Sequence, residues 1–377
     1  MRAALQVLTG LLGLSLLSFA QPAFAQPAFS QQGSEAASPS PVTPPAQGAS
    51  SPSHDVGRRI TLDVVVSDKS GKPVPGLQQQ DFTLLDDKQP QTILSFRAGD
   101  LAMNETSKAA DSSLQAILLV DAVNTSFRSV GNERLALQKF LQKDEGRLLI
   151  PTSLVLFTDT SQALSAATLD GNTLLDTLNA NQSGLRSIGR AQGFYGAQER
   201  LQLSLGTLET LASHLATQPG RKLLIWLSPG WPLLSGPNVQ LSAKNQEWLF
   251  RNVVGLSTEL REARITLYSV DPLGADDSMG QRFFYESFLK GVDSANNVQN
   301  GNLALQVLAA QSGGLVLNSS NDIASLIANC LPDAQAFYTL SFDSPRADHP
   351  NEYHSLQVKI SKPGLTARTR TGYYAQR

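Results

Sequence analysis

The chain holds one cysteine, Cys330, in 377 residues, so no intramolecular disulfide can staple it and its core must hold itself together. Leu326, Ile327 and Leu331 flank that cysteine at helical spacing, which predicts a buried structural thiol rather than a catalytic one. Histidine is almost as scarce. His54, His214, His349 and His354 are the four present, and none has the paired spacing of a zinc site or a catalytic dyad. No Gly-x-Ser-x-Gly elbow and no Gly-x-x-x-x-Gly-Lys loop occurs, which removes the commonest hydrolase and nucleotide-binding signals. An excess of either charge is also missing: 30 basic against 32 acidic residues, net −2, scattered rather than clustered, leave no footprint for nucleic acid or for an anionic membrane. Beyond the N-terminal segment no stretch approaches the roughly 20 apolar residues that a membrane-spanning helix needs.

What is present begins with a leader. Met1-Arg2, the apolar run from Ala3 to Ala20, and Ala23-Phe24-Ala25 have the charged start, short greasy middle and small-residue cleavage site of a secretory signal, expected over residues 1–25. No cysteine follows the run, which argues against a lipid anchor. Export to the periplasm, the cell surface or the medium is expected. Residues 26–57 are rich in Gln, Ala, Ser and Pro with almost nothing to bury, the composition of a disordered linker.

From Arg58 the texture changes. Ile60, Leu62, Val64 and Val66 recur at the period of a strand, turn residues follow at Asp68, Gly71, Pro73 and Gly76, and further strands are expected around Phe82–Leu85 and Gln91–Phe96. Residues 58–103 therefore read as an all-β segment. Residues 113–332 alternate short aliphatic runs with helix-period stretches: strands at Ala116–Asp121, Ser153–Phe157, Lys222–Leu227, Ile265–Val270 and Gly314–Leu317, with helical patterns between them. That rhythm predicts an α/β domain, a doubly wound and mostly parallel sheet with a binding crevice at the carboxyl ends of its strands. Residues 335–376 turn β again. Each terminal β segment is about 45 residues, near the size below which chains rarely fold alone, so the two are expected to complete one sandwich around the inserted α/β domain. Two independent β appendages are the alternative.

The strand "AILLVD" with its hydroxyl-bearing loop, then "GRKLLIWLSPGWP", then "ITLYSVDPLG" resemble the von Willebrand factor type A fold. More closely, "VVVSDKSGKPVPGLQQQDF", "VDAVNTSF", "PGRKLLIWLSPG", "YSVDPLG" and "KPGLTARTRTGYYA" are similar to the bacterial secreted VWFA-related domain family known mainly from acidobacterial proteins, over most of residues 58–376. The resemblance implies the fold and tells little about a biochemical role. Type A domains that grip ligand through a metal use an Asp-x-Ser-x-Ser loop, a distant threonine and a further aspartate, because a hard divalent cation prefers oxygen ligands and accepts a carboxylate from the partner. Here Asp121 and Thr125 match that loop, but Val123 offers no oxygen, and Ser228-Pro229-Gly230 stand where the second aspartate belongs. For the distant threonine, Ser183 and Ser187 are the candidates. The metal-dependent site is thus degenerate: no cofactor is expected, and any magnesium or calcium at Asp121 and Thr125 is expected to be held weakly.

The competing reading is that Asp121 accepts hydrogen bonds from loop amides while Asn124, Thr125 and Ser126 cap the following helix; this reading is preferred. Asp271, Asp276 and Asp277 share one loop without the spacing of an EF-hand. Trp226 lies inside an apolar strand and is expected in the core, whereas Trp231 follows a turn and serves either as an exposed anchor or as packing. The stretches "GPNVQLSAKNQEWLF" and "GADDSMGQRFFYESFLKGVDSANNVQNGN" read as recognition loops at the same sheet edge. Asp121, Asn124, Thr125, Ser126, Ser228 and Trp231 are accordingly the candidate ligand-contacting residues of a non-enzymatic module for a protein partner. The alternatives are a metal-assisted hydrolase using Asp121 with Asp271 or Asp276, and a structural or assembly subunit of an envelope complex.

Overall fold

The computed structural model describes residues 58–100, 114–125, 127–159, 162–181, 193–233, 241–272 and 283–376; the expected signal peptide and linker lie outside them. His54–Arg377 forms one compact unit. At its centre is a sheet built on strands β5 (Leu114–Asp121), β6 (Arg147–Phe157), β9 (Arg221–Leu227) and β10 (Ile265–Val270). The short strand β11 (Val316–Leu317) closes one edge, and β7 (Gln162–Leu164) and β8 (Thr168–Asp170) pair antiparallel to β6 at the other. All other pairings are parallel. These strands are continuous apolar runs because both faces are covered: every residue of β9 and of β10 is buried.

The sheet order is β11-β10-β9-β5-β6-β7. Counted along the chain, that is the 3-2-1-4-5-6 order of doubly wound sheets, whose switch point falls between β5 and β9. One face is packed by α1 (Phe127–Leu141), α2 (Gly171–Ala180) and α6 (Ile323–Ala328), the other by α3 (Phe194–Ala216), α4 (Ala243–Glu262) and α5 (Leu305–Gln311). α5 comes close to β10. A Cβ on Gly314, just after that helix, would sit 1.8 Å from the carbonyl oxygen of Leu267, so only glycine admits this approach. Cys330 is fully buried on the α1 face, as its helical neighbours imply.

The two ends of the unit interleave. β1 (Arg59–Ser67), β4 (Ser95–Asp100), β12 (Ala336–Asp343) and β14 (Thr366–Arg368) form one antiparallel sheet. β2 (Phe82–Asp86), β3 (Gln89–Gln91), β13 (Glu352–Ile360) and β15 (Gly372–Ala375) form the other. Each sheet takes strands from both ends of the sequence, and Leu62, Val64, Leu84, Tyr338, Leu340, Phe342 and Tyr373 fill the core between them. The stretch Gln91–Phe96, which reads as one strand, spans the end of β3 and the start of β4. Between β3 and β4, and between β14 and β15, the chain crosses from one sheet to the other. At the second corner the buried guanidinium of Arg370 leaves the sandwich and donates to the carbonyl of Ser257 in α4, 3.1 Å away.

One expected recognition loop proves to be scaffold over its described part. Residues 283–304 form three short 3-10 turns that bury Val292, Val298 and Leu303 against α4 and α5. The carbonyl of Val292 accepts from the Tyr374 hydroxyl of β15 at 3.0 Å, and that of Leu289 from Gln311 at 3.3 Å. Alternation of apolar and polar residues over so short a span gave no hint of this packing.

Candidate functional site

At the switch point β5 ends on Asp121 and β9 runs into Ser228-Pro229-Gly230, while β10 delivers Asp271 alongside. Asp121 is fully buried. One of its oxygens accepts from the backbone amides of Val123 and Asn124, both at 2.9 Å; the other accepts from the side-chain amide of Asn124 at 2.8 Å and from the indole N–H of Trp226 at 3.1 Å. Burial raises its pKa, and bonds from Asn124, Ser228 and Trp226 oppose that rise. Every neighbour on these bonds donates. These N–H bonds favour the charged carboxylate, against the burial that opposes it.

The same side-chain amide of Asn124 also reaches Ser204 Oγ in α3 at 2.9 Å, which ties the loop to the helix. On the other side of the switch point Ser228 is fully buried, and its Oγ accepts from the amide of Gly230 at 3.1 Å. The positive φ of Gly230 lets the chain turn there, and Gln306 of α5 donates to the carbonyl of Pro229 at 3.0 Å. Trp231 is 5% exposed, stacks edge-on against Trp226 at 5.5 Å between ring centroids and donates its indole N–H to the carbonyl of Leu303 at 2.8 Å. It is packing, not an exposed anchor, because the 3-10 segment closes over it.

Of the sequence candidates, then, Asp121, Thr125, Ser228 and Trp231 are buried and shape the crevice from within, Asn124 is half-buried, and Ser126 lies outside the described residues. Ser183, Ser187, Asp276 and Asp277 lie outside them as well. Among the described residues, an exposed aromatic at this edge carries no sequence motif. α3 leads into β9 and so runs antiparallel to the strands, which puts its N-terminal end at the carboxyl edge; Tyr195 there is 82% exposed.

The metal that a type A loop would imply does not fit around Asp121. Its lone pairs are taken by N–H donors, Val123 has no oxygen to offer, and no carboxylate stands at Pro229. A second carboxylate does sit beside this cluster, however. Glu133 of α1 is 0% exposed and its pKa is pushed well above the ordinary carboxylate range, first by burial and then by the charges of Asp121 and Asp271, with the Thr125 hydroxyl opposing. Its local signal was legible. Val130, Glu133 and Leu137 share one helical stripe, and an acidic residue on a buried stripe is rare.

A further polar cluster lies in the sandwich. Asp86 accepts from the Tyr373 hydroxyl at 2.6 Å and pairs with Nδ1 of His354 at 3.0 Å, with Asp87 3.5 Å from the same nitrogen. Asp86, Asp87 and His354 each bring one ligand-type atom within 4.8 Å of the others, a spacing that a metal ion could use. No sequence spacing signalled it, since β2 and β13 meet only in the fold.

No family model and no curated protein matches the chain. Solved structures do resemble it. The manganese-loaded TRAP protein of Plasmodium vivax is 10% identical, with 73% of this chain and 96% of that one covered and a TM-score of 0.31. The pilus adhesin SpaC of Lactobacillus rhamnosus GG is 9% identical over 81% of this chain and 49% of that one, TM-score 0.36. The SpRpn10 VWA domain is 12% identical over 59% and 97%, TM-score 0.25. This chain thus spans about half the length of the adhesin, and scores this low leave its binding properties to its own geometry.

Proposed function

We propose that the chain is an exported, non-enzymatic protein-binding module that presents loops at the carboxyl edge of its doubly wound sheet to a partner. The observation that carries this reading is how the switch point is built. Asp121, Ser228, Trp226 and Trp231 spend their polar atoms on holding the loops, through the bonds to Val123, Asn124, Gly230 and Leu303. A rigid edge with an exposed aromatic beside it suits recognition, for which rigid scaffolds and aromatic anchors are the usual means. Hydrolysis through Asp121 and Asp271 is disfavoured, because each Asp121 oxygen already accepts two N–H bonds. Export rests on the leader-like N-terminus.

The test is capture from a native envelope fraction with the purified mature chain as bait and Tyr195→Ala as the comparison. Retention of a defined protein by the parent chain and at least about tenfold weaker retention by the variant, as for an aromatic hot spot, is the expected result. Retention of nothing, together with turnover in a substrate screen, would overturn the proposal.

A further inference from the structure

Arg370, at the corner between β14 and β15, carries a charge that the fold does not balance. It is 7% exposed and makes one hydrogen bond, to the neutral carbonyl of Ser257 at 3.1 Å; among the described residues no carboxylate pairs with it. Together with Thr61, Asp63, Arg261, Arg264 and Ser312 it walls a single cavity of about 20 Å³. These residues come from β1, from the end of α4, from the turn into β10 and from the position after α5. The cavity therefore lies in the joint between sandwich and α/β part, and three of its wall residues are arginines against one acid.

Asp63 is already committed. Its oxygens accept from Arg264 at 2.6 and 3.3 Å, and one of them also takes the Thr339 hydroxyl at 3.0 Å. Arg261 sends one N–H outward to Glu262 at 3.0 Å, whose side chain is 61% exposed, a surface pair of little strength; its Nε is buried without a partner. Two guanidiniums are thus left with unspent N–H groups at the same small cavity. Burial, and then the charge of Arg261, bring Arg370 down to about 9, which still leaves it charged at neutral pH.

A buried charge is kept only where something pairs with it. A water in the cavity would accept N–H bonds but bring no charge. The volume is also informative: a water needs roughly 10–15 Å³, so this space admits one species of about that size and is too small for the four oxygens of sulfate or phosphate. We infer that the cavity binds a single-atom anion of the halide class, chloride in a physiological medium, which accepts N–H bonds from Arg370 and Arg261. Thr61, on the same face of β1 as Asp63, adds a neutral hydroxyl donor, and the Asp63–Arg264 pair closes the other side. The ion touches strands of the sandwich and helices of the α/β part together, so it fixes the joint between them.

The experiment is thermal unfolding of the purified mature chain, first dialysed free of halide, in series of sodium chloride, sodium bromide and sodium sulfate at matched ionic strength, paired with anomalous diffraction from crystals soaked in bromide. Sulfate is excluded from protein surfaces and is the more stabilising salt in general. The expected result reverses that order: Tm rises saturably with chloride and bromide, above the sulfate series, and a bromide peak lies in the cavity. Arg370→Met keeps the bulk and removes the charge, and should move the midpoint of the rise to at least about tenfold higher halide concentration, as for a lost hydrogen bond to a charged group. Lys362→Met removes an exposed cation elsewhere in the sandwich and should respond as the parent does. Should Arg370→Met fail to fold by circular dichroism, Arg261→Gln takes its place with the same shift expected. The inference is overturned if the parent is no more stable in chloride than in sulfate, if no bromide peak appears in the cavity, as for a site holding water alone, or if the arginine variant follows the parent. No partner is needed, so the outcome is independent of the capture experiment.

Discussion

Asp121→Ala separates two roles for the carboxylate at the switch point. If Asp121 holds the loop, its removal leaves the Trp226 indole N–H and the amides of Val123 and Asn124 without their acceptor, while the Asn124 side chain keeps Ser204. Trp226 is fully buried, so its orphaned donor costs about 1–3 kcal/mol; the two amides, in half-buried residues, cost about 0.5–1.5 kcal/mol each as lost bonds. The sum is roughly 2–6 kcal/mol, a large share of the ~5–15 kcal/mol by which a domain is stable. Losing the charge beside Glu133 offsets part of it, so the lower half of the range is expected. The assay is urea unfolding of the chelator-stripped chain followed by tryptophan fluorescence, with midpoint and slope compared between parent and variant. If Asp121 instead existed to bind a cation, deleting it from the metal-free chain would relieve repulsion and leave stability equal or higher. A loss below about 1 kcal/mol, or any gain, refutes the assignment.

Two further outcomes follow from the same reasoning. Trp231→Ala should destabilise the chain by about 3–5 kcal/mol, the usual cost of deleting a buried aromatic, and Trp231→Phe by less; urea midpoints decide it, and an unchanged midpoint would return Trp231 to the surface. His354 is held above its ordinary pKa, mainly by its bond to Asp86, with Asp87 and Glu352 adding to the rise and burial opposing it, while the Tyr373 ring stacks on it at 5.1 Å. The protonated form is favoured in the fold, so this contribution to stability is complete below the unfolded histidine value of about 6.5 and fades as pH rises through the higher folded value. Tm measured from acid to mildly alkaline pH should show that decline in the parent and a flatter profile in His354→Asn, and parallel profiles would count against it.

How much of this could be read from the chain depends on where each signal resides. β5, β9 and β10 were legible because strands covered on both faces need unbroken apolar runs, and Asp121 was conspicuous as the first charge after such a run. The strand corners were not legible, since the break between β14 and β15 is set by where Arg370 finds its acceptor in α4. Trp231 was ambiguous for the same reason: its fate depends on Trp226 and on the distant carbonyl of Leu303. Asp86, His354 and Tyr373 carry no local pattern at all. Glu133 differs from these. Its helical stripe is visible in the chain, but the charges of Asp121 and Asp271 that act on it come from strands distant in sequence.

The joint between sandwich and α/β part bears on which edge is left for a partner. Arg264, just before β10, pairs with Asp63 of β1 at 2.6 Å, and its guanidinium also reaches Thr339 of β12. Arg221 at the start of β9 donates to the carbonyl of Asp333 at 2.8 Å, and the Asp333 carboxylate in turn receives Tyr268 and Arg368. Burial and neighbouring Arg261 pull Arg370, in the same region, down to about 9. These contacts lie at the amino ends of the parallel strands, where the chain enters from β4 and leaves into β12. Charged groups buried this far are retained only with partners, so these pairs join the sandwich to the amino ends of the parallel strands. Asp121 and Tyr195 lie toward the opposite, carboxyl ends of those strands.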